Sequence, residues 1–240
     1  MNAKRIQREL QQPFSQNDLE WRVQQAGQSG ERVWARIIAN VTNRAIQTRL
    51  DDTVGVFGWK NEFSPLPNSV GNGSLCGISI KFDNEWITKY DGADNTNIEA
   101  TKGGLSGSMK RAAVQFGVGR YLYDVEAMYA DCISVEAFKK LQKHDKEPYE
   151  KAKTKNDIYF YWKAPSLDDK FLPKKHLTKT VYDDIIKLIK ETDSSDEWAC
   201  EKFGVDDLKD LYSDEAGRLV TMLLKKKQLM EAEDEADKKD

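Results

Sequence analysis

Apolar residues follow two rhythms along this chain, every second position in some stretches and every third or fourth in others, and the switches between them outline its elements. Residues 1–11 read as a short polar helix that stops before Pro13, because the residue preceding a proline is pushed toward extended backbone. Residues 19–26 and 33–39 alternate on either side of Gly27-Gln28-Ser29-Gly30, which predicts a hairpin. Behind Thr42, a capping residue, Ile46, Leu50 and Val54 line one face of a helix, Arg44, Thr48 and Asp51 line the other, and Gly55 ends it. Residues 59–63, 74–82 and 85–90 predict further strands, parted by Pro/Asn/Gly turns and by Asp83-Asn84. A central helix is predicted from Asn97 or Ile98, and residues 158–162 supply a last strand. Strands and helices in separate runs with short links predict an α+β fold, an antiparallel sheet packed with helices.

After Pro173 the rhythm becomes helical. Val181, Ile185, Leu188 and Ile189, then Trp198 and Phe203, then Leu208 and Leu211, then Ala216, Leu219, Val220, Leu223 and Leu224 behind a Ser213 cap predict a small helical module. Residues 139–157 break the pattern with seven lysines, four acids and Pro148, and read as a linker or mobile helix whose basicity could add a second nucleic-acid contact. Residues 231–240 are mostly charged and are predicted to be disordered. The expected division is therefore 1–165, 166–230 and a 231–240 tail.

The most informative stretch is 99–123. At about 100° per residue, Leu105, Met109, Ala112 and Phe116 fall on one side of a helix, while Gly103, Gly107, Lys110, Val114 and Arg111 fall on the other. Each glycine costs a helix roughly 1 kcal/mol relative to alanine, so several in one pattern imply close approach of something to the backbone. A phosphate chain beside two cations fits that description, and so does a neighbouring element of the fold.

Charge changes the picture only locally. The net charge of -3 divides into 23 Lys+Arg against 20 Asp+Glu in residues 1–165 and 14 against 20 in residues 166–240. So mild a balance makes any polyanion site a patch. Cys76, Cys132 and Cys200 are odd in number and lack CxxC spacing, and with only His144 and His176 no zinc or imidazole ligand set can be built. Neither a signal-peptide pattern nor an apolar run near 18 residues is present, which predicts a cytoplasmic protein with no membrane partner.

Several chemistries can be weighed against these residues. The glycine run lacks GxxxxGK[ST], and Lys102 precedes the glycines, so nucleotide hydrolysis is excluded. Two histidines cannot serve a Ser/His/Asp or Cys/His grouping, which leaves nucleophilic catalysis without support. Asp91, Asp94 and Glu99 with Lys102 could form a metal-dependent nuclease cluster; acids ahead of a helix also cap it and complement its positive end. Trp59, Trp86, Tyr90, Tyr121 and Tyr123 flank the basic segments, where rings either pack in the core or stack on bases.

Asp18-Leu-Glu-Trp-Arg22, Val41-Thr-Asn-Arg-Ala-Ile46 with Arg49-Leu-Asp51, Gly55-Val-Phe-Gly-Trp59, Leu75-Cys-Gly-Ile-Ser-Ile80, Lys89-Tyr-Asp-Gly-Ala93, Lys102-Gly-Gly-Leu-Ser106, Lys110-Arg-Ala-Ala-Val114 and Gly119-Arg-Tyr-Leu122 together resemble the Sak-type single-strand annealing proteins of phages. These are prokaryotic relatives of the eukaryotic Rad52 recombination family, and the resemblance covers roughly residues 9–125. It implies an α+β protomer that assembles into a ring or helix and holds single-stranded DNA in a groove, annealing complements without ATP or a cofactor and without being an enzyme. Carried over by position, Lys110 and Arg111 fall on the basic pair of the groove helix, Lys102 on a basic position one to two turns earlier, and Arg44 on a groove arginine of the preceding helix. The tail after Pro173 resembles small helical modules of phage annealing proteins, whose expected partners are a host single-stranded-DNA-binding protein or a phage nuclease.

Overall fold

The computed structural model of the protein describes residues 3–67, 72–95, 100–125 and 127–237. It is α+β, with antiparallel strands in three separate three-stranded sheets where the sequence predicts one. The chain divides into two compact units, one of residues 13–81 and 86–172, the other of residues 1–12, 82–85 and 173–240.

The larger unit begins with β1 (Leu19–Ser29) and β2 (Arg32–Val41), joined through a turn in which Gly30 adopts a φ of 61°. Ser29 pairs with Arg32, so the predicted hairpin forms with a two-residue turn and longer strands. Helix α2 (Asn43–Val54) starts as predicted: the Thr42 side chain accepts a hydrogen bond from the Ala45 N–H, and Gly55 ends the helix at a φ of 79°. Its predicted apolar face, Ile46, Leu50 and Val54, is buried. The second sheet follows as β3 (Trp59–Pro65), β4 (Gly73–Phe82) and β5 (Glu85–Asp94), with β4 central and the predicted Asp83-Asn84 turn at φ values of 47° and 69°. Cys76, Ile78 and Ile80 of β4 are buried, and burial pushes the Cys76 thiol up to about 11, so it stays protonated.

Helix α3 (Ala100–Gln115) packs on α2. Its predicted start at Asn97 or Ile98 lies outside the described residues. It ends at Gln115, earlier than the 99–123 pattern suggests, because Gly117 and Gly119 take φ values of 95° and 70° and turn the chain. β6 (Met128–Tyr129) then adds to β2, completing the first sheet.

Residues 131–163 form the third sheet: β7 (Asp131–Ser134), helices α4 (Val135–Lys140) and α5 (Lys143–Lys146), β8 (Glu150–Lys153) and β9 (Tyr159–Lys163), with β9 central. Helices thus take up part of residues 139–157, where the sequence reads as linker or mobile helix, and that reading is corrected over Glu150 to Lys153, which pair residue by residue with β9. Phe160 and Trp162 of β9 join Ala35 and Ile37 of β2 in one apolar cluster.

The smaller unit holds α6 (Lys179–Glu191), α7 (Asp196–Phe203) and α8 (Ser213–Asp237) around Ile185, Leu211, Leu219 and Leu223. Thr178 and Ser195 cap α6 and α7 through the N–H groups of Val181 and Trp198. Helix α1 (Ala3–Gln11) belongs to this unit. Arg8 donates to the Glu215 carboxylate at 2.6 Å and lies over the Tyr212 ring at 4.5 Å. Helix α8 continues through Asp237, where the charge of residues 231–240 predicts disorder; Glu and Ala in that stretch are good helix formers that a preceding regular helix can propagate into.

Candidate functional site

Two helices and a strand build one groove in the larger unit. Arg44 and Thr48 lie four residues apart on α2, and Lys102, Ser106 and Lys110 lie four apart along α3, so each set projects from one helical face. Alternation on β1 turns Glu20 and Arg22 outward while Leu19 is buried. These residues, with Asn17, Asp18, Asn43 and Gly103, line a groove of about 910 Å³. Three of the four cations predicted from sequence, Arg44, Lys102 and Lys110, meet there. Arg22, in the Asp18–Arg22 motif but outside the four predicted cations, is a fourth wall cation; its strand-face alternation with Trp21 and Val23 is the signal that marks it as outward.

Two of the groove's cations meet on one of its carboxylates. The Lys110 ammonium is 3.6 Å from Glu20 Oε2, and Arg22 donates to the same oxygen at 3.2 Å. Lys110 is only 20% exposed, and burial holds its ammonium below the ordinary lysine range, an effect that Glu20 opposes and Arg22 reinforces. Glu20 thus balances two cations with a single charge. A phosphodiester entering the groove would supply the anion that Lys110 and Arg22 otherwise share.

Arg111, adjacent in sequence, goes elsewhere. Its Nε donates to Asp91 Oδ1 of β5 at 2.9 Å, and the same carboxylate accepts from Gln115 at 3.2 Å and from the Gly92 N–H at 2.8 Å. Burial by itself would raise the Asp91 pKa, but the donated hydrogen bonds and the guanidinium charge hold it below the ordinary carboxylate range. Arg111 therefore ties α3 to β5, outside the groove lining. The same geometry bears on the nuclease alternative, since Asp91 is engaged by three donors, Asp94 is exposed, and Glu99 lies outside the described residues. No group of three His, Cys, Asp or Glu that could hold a metal occurs among the described residues.

The helix glycines also divide. Gly103 lines the groove, but a Cβ at Gly107 would stand 2.9 Å from the Ala93 Cβ, and one at Gly104 would stand 2.5 Å from Asn95 Oδ1. Gly104 and Gly107 thus let α3 lie close to the β5 end, which corrects the reading of Gly107 as part of the cationic face. Of the predicted stripe, Met109 and Ala112 are buried and Leu105 and Phe116 half-buried. The flanking rings divide likewise: Trp59 donates to Asp51 and Tyr121 accepts from the Phe14 N–H, whereas Trp86, Tyr90 and Tyr123 are exposed. Lys89 and Arg120 bond carbonyls at the α3 C-terminus, where the helix dipole favours cations.

Comparison with known proteins bears on this geometry. The family described as Rad52/22 family double-strand break repair protein matches residues 2–132, which include every groove residue named above. The chain is 34% identical over 136 residues to the single-stranded DNA-binding protein DdrA of Deinococcus radiodurans, covering 55% of this chain and 61% of that protein. It is 30% identical over 129 residues to the protein of the same name from Deinococcus deserti, covering 52% and 60%. The chain thus spans about three fifths of the length of these relatives. No solved structure matches it.

Proposed function

Because the chain belongs to the Rad52/22 family of double-strand break repair proteins, we propose that its groove binds single-stranded DNA and that the protein anneals complementary strands in recombination and repair. The observation that carries this reading is the convergence of Arg44, Lys102, Lys110 and Arg22 on one groove, where the last two share the Glu20 carboxylate. Contacts of this kind neutralise phosphates and leave base edges outward, so binding is sequence-tolerant and a second strand can test pairing with reduced repulsion. Base pairing then supplies the free energy, and the protein acts by binding, without covalent catalysis. The finer reading is a Sak-type annealing protein working as a homo-oligomeric ring or helix in the cytoplasm, phage-encoded, with the smaller unit available to a host single-stranded-DNA-binding protein or a phage nuclease. No helix among the described residues is long and apolar enough to cross a membrane.

The test is annealing of labelled complements in EDTA, without ATP, followed for both pairing and strand length. Pairing at full rate with intact strands supports the reading, and loss of pairing in the Lys102→Ala/Lys110→Ala variant assigns it to the groove. Mg²⁺-dependent shortening that disappears in Asp91→Ala would return the site to the nuclease reading.

A further inference from the structure

Helix α8 breaks a local rule at its C-terminal end. The aligned peptide dipoles give that end a partial negative charge, so cations are favoured in the last turn and acids cost stability there. The last turn of α8 holds no basic residue. From Gln228 to Asp237 the chain instead carries Glu231, Glu233, Asp234, Glu235 and Asp237, with no lysine or arginine among them. Glu231 and Glu233 are exposed. Sequences keep such conflicts where another requirement outweighs the helix.

Packing of the smaller unit does not supply that requirement. Leu223 is the last residue of α8 in the unit's apolar cluster. One turn on, Lys226 donates to Ser194 Oγ at 2.9 Å and Lys227 to Glu191 at 2.8 Å, which ties the helix to the end of α6 and the turn after it. The ten residues beyond Lys227 continue as helix for about 15 Å. Leu229, among them, is 58% exposed. The end of α8 is thus a helical rod whose five acids and dipole share one sign, a row of anions on a protein backbone.

The groove is where this molecule receives a row of anions. Lys110 and Arg22 share the Glu20 carboxylate there, and Thr48 and Ser106 add hydroxyl donors to the lining. Carboxylates accept from ammonium and guanidinium groups as phosphate oxygens do. The spacing agrees as well. Glu231 and Glu235 lie four residues, about 6 Å, apart along the axis of α8, the rise that also separates Lys102 from Ser106 and Ser106 from Lys110 on α3. We propose that the acidic end of α8 in one copy of the chain occupies the groove of a second copy, as a competitor that a single strand must displace. This rests on the groove reading above. It makes binding conditional on strand length, because a long strand offers more phosphates than the carboxylates it replaces.

The experiment compares the wild type with a full-length variant in which Glu231→Gln, Glu233→Gln, Asp234→Asn, Glu235→Gln and Asp237→Asn remove the charges and keep the helix. Affinity for a short oligothymidylate should rise about fivefold at low salt and match wild type at high salt, where screening cancels the competition. General repulsion of DNA by an acidic segment would give the same rise, so a labelled peptide of residues 228–237 decides. It should bind the neutralised variant in a polarisation titration, be displaced by oligothymidylate, and lose that binding when Lys102→Ala/Lys110→Ala are added. Unchanged affinity in the neutralised variant, a peptide that does not bind, or one that binds equally without the groove lysines overturns the proposal. The groove reading is judged separately, by Lys102→Ala/Lys110→Ala in the wild-type background. If strand binding is abolished there, the groove stands whatever the peptide does; if it survives, the groove reading fails, and with it the site that the end of α8 would occupy.

Discussion

Lys110 and Arg111 are neighbours in sequence and about 100° apart on α3, and they face two different regions of the molecule. On the groove flank, Lys110 is largely buried, shares one carboxylate with Arg22, and has its ammonium destabilised by desolvation. On the β5 flank, Arg111 is more than half exposed, yet its partner Asp91 is held in place by further hydrogen bonds from Gln115 and the Gly92 N–H. The difference teaches that charge alone does not mark a binding cation. On the reading proposed here, the binding cation is the one undersupplied with anion at the groove, and the one held by several partners serves the fold.

Removing groove cations should have the largest effect. With Lys102 and Lys110 both changed to Ala, two phosphate contacts are lost, and the slope of log affinity against log salt should fall by about 1.4 for a single strand. Affinity in a fluorescence titration should drop on the order of 100-fold, with the melting temperature little changed. An equal loss from Arg111→Ala alone would erase the distinction between the flanks.

The β5 flank should answer in stability. Asp91→Asn should cost about 1 kcal/mol or less in denaturant unfolding, since the guanidinium partner is exposed and solvent screens the pair. Its pH dependence has a definite sign. Asp91 is held below the ordinary carboxylate range in the folded state, so its contribution is full above the unfolded value near about 3.9 and is lost as pH falls through the lower folded value. The gap between wild type and Asp91→Asn should accordingly be constant near neutrality and close on acidification below that range. A gap that widens in acid would contradict the assignment.

The smallest effect sharpens the groove side. Glu20→Gln removes the anion that Lys110 and Arg22 share, so single-strand affinity should rise a few-fold at low salt and the salt slope should steepen by up to about 0.7. Weaker binding would mean that Glu20 orients Lys110 for the ligand instead of competing with it.

Local signals in the sequence carried much of this account. Thr42 with Ile46, Leu50 and Val54 specifies α2, and the motifs that hold Arg44, Lys102 and Lys110 fold into helices that bring these three side chains to one groove. Three features were hidden for physical reasons. β8 was masked by composition, because Lys151 and Lys153 face solvent and Ala152 is the one small apolar residue between them, leaving no alternation strong enough to outweigh the charge. The place of α1 depends on Arg8 meeting Glu215 across 207 positions of sequence, a pairing that no local pattern encodes. The split between Lys110 and Arg111 depends on which neighbour each flank of α3 meets, and a helical wheel shows angles without neighbours.

The central claim is that the groove flank of α3 binds the strand and the β5 flank does not. The most direct measurement is the salt dependence of single-stranded DNA affinity for wild type, Lys110→Ala and Arg111→Ala, taken over the same salt series. The account predicts that the Lys110→Ala slope is shallower by about 0.7 while the Arg111→Ala line runs parallel to wild type. A parallel line for Lys110→Ala, or an equal change in slope for both variants, would contradict it.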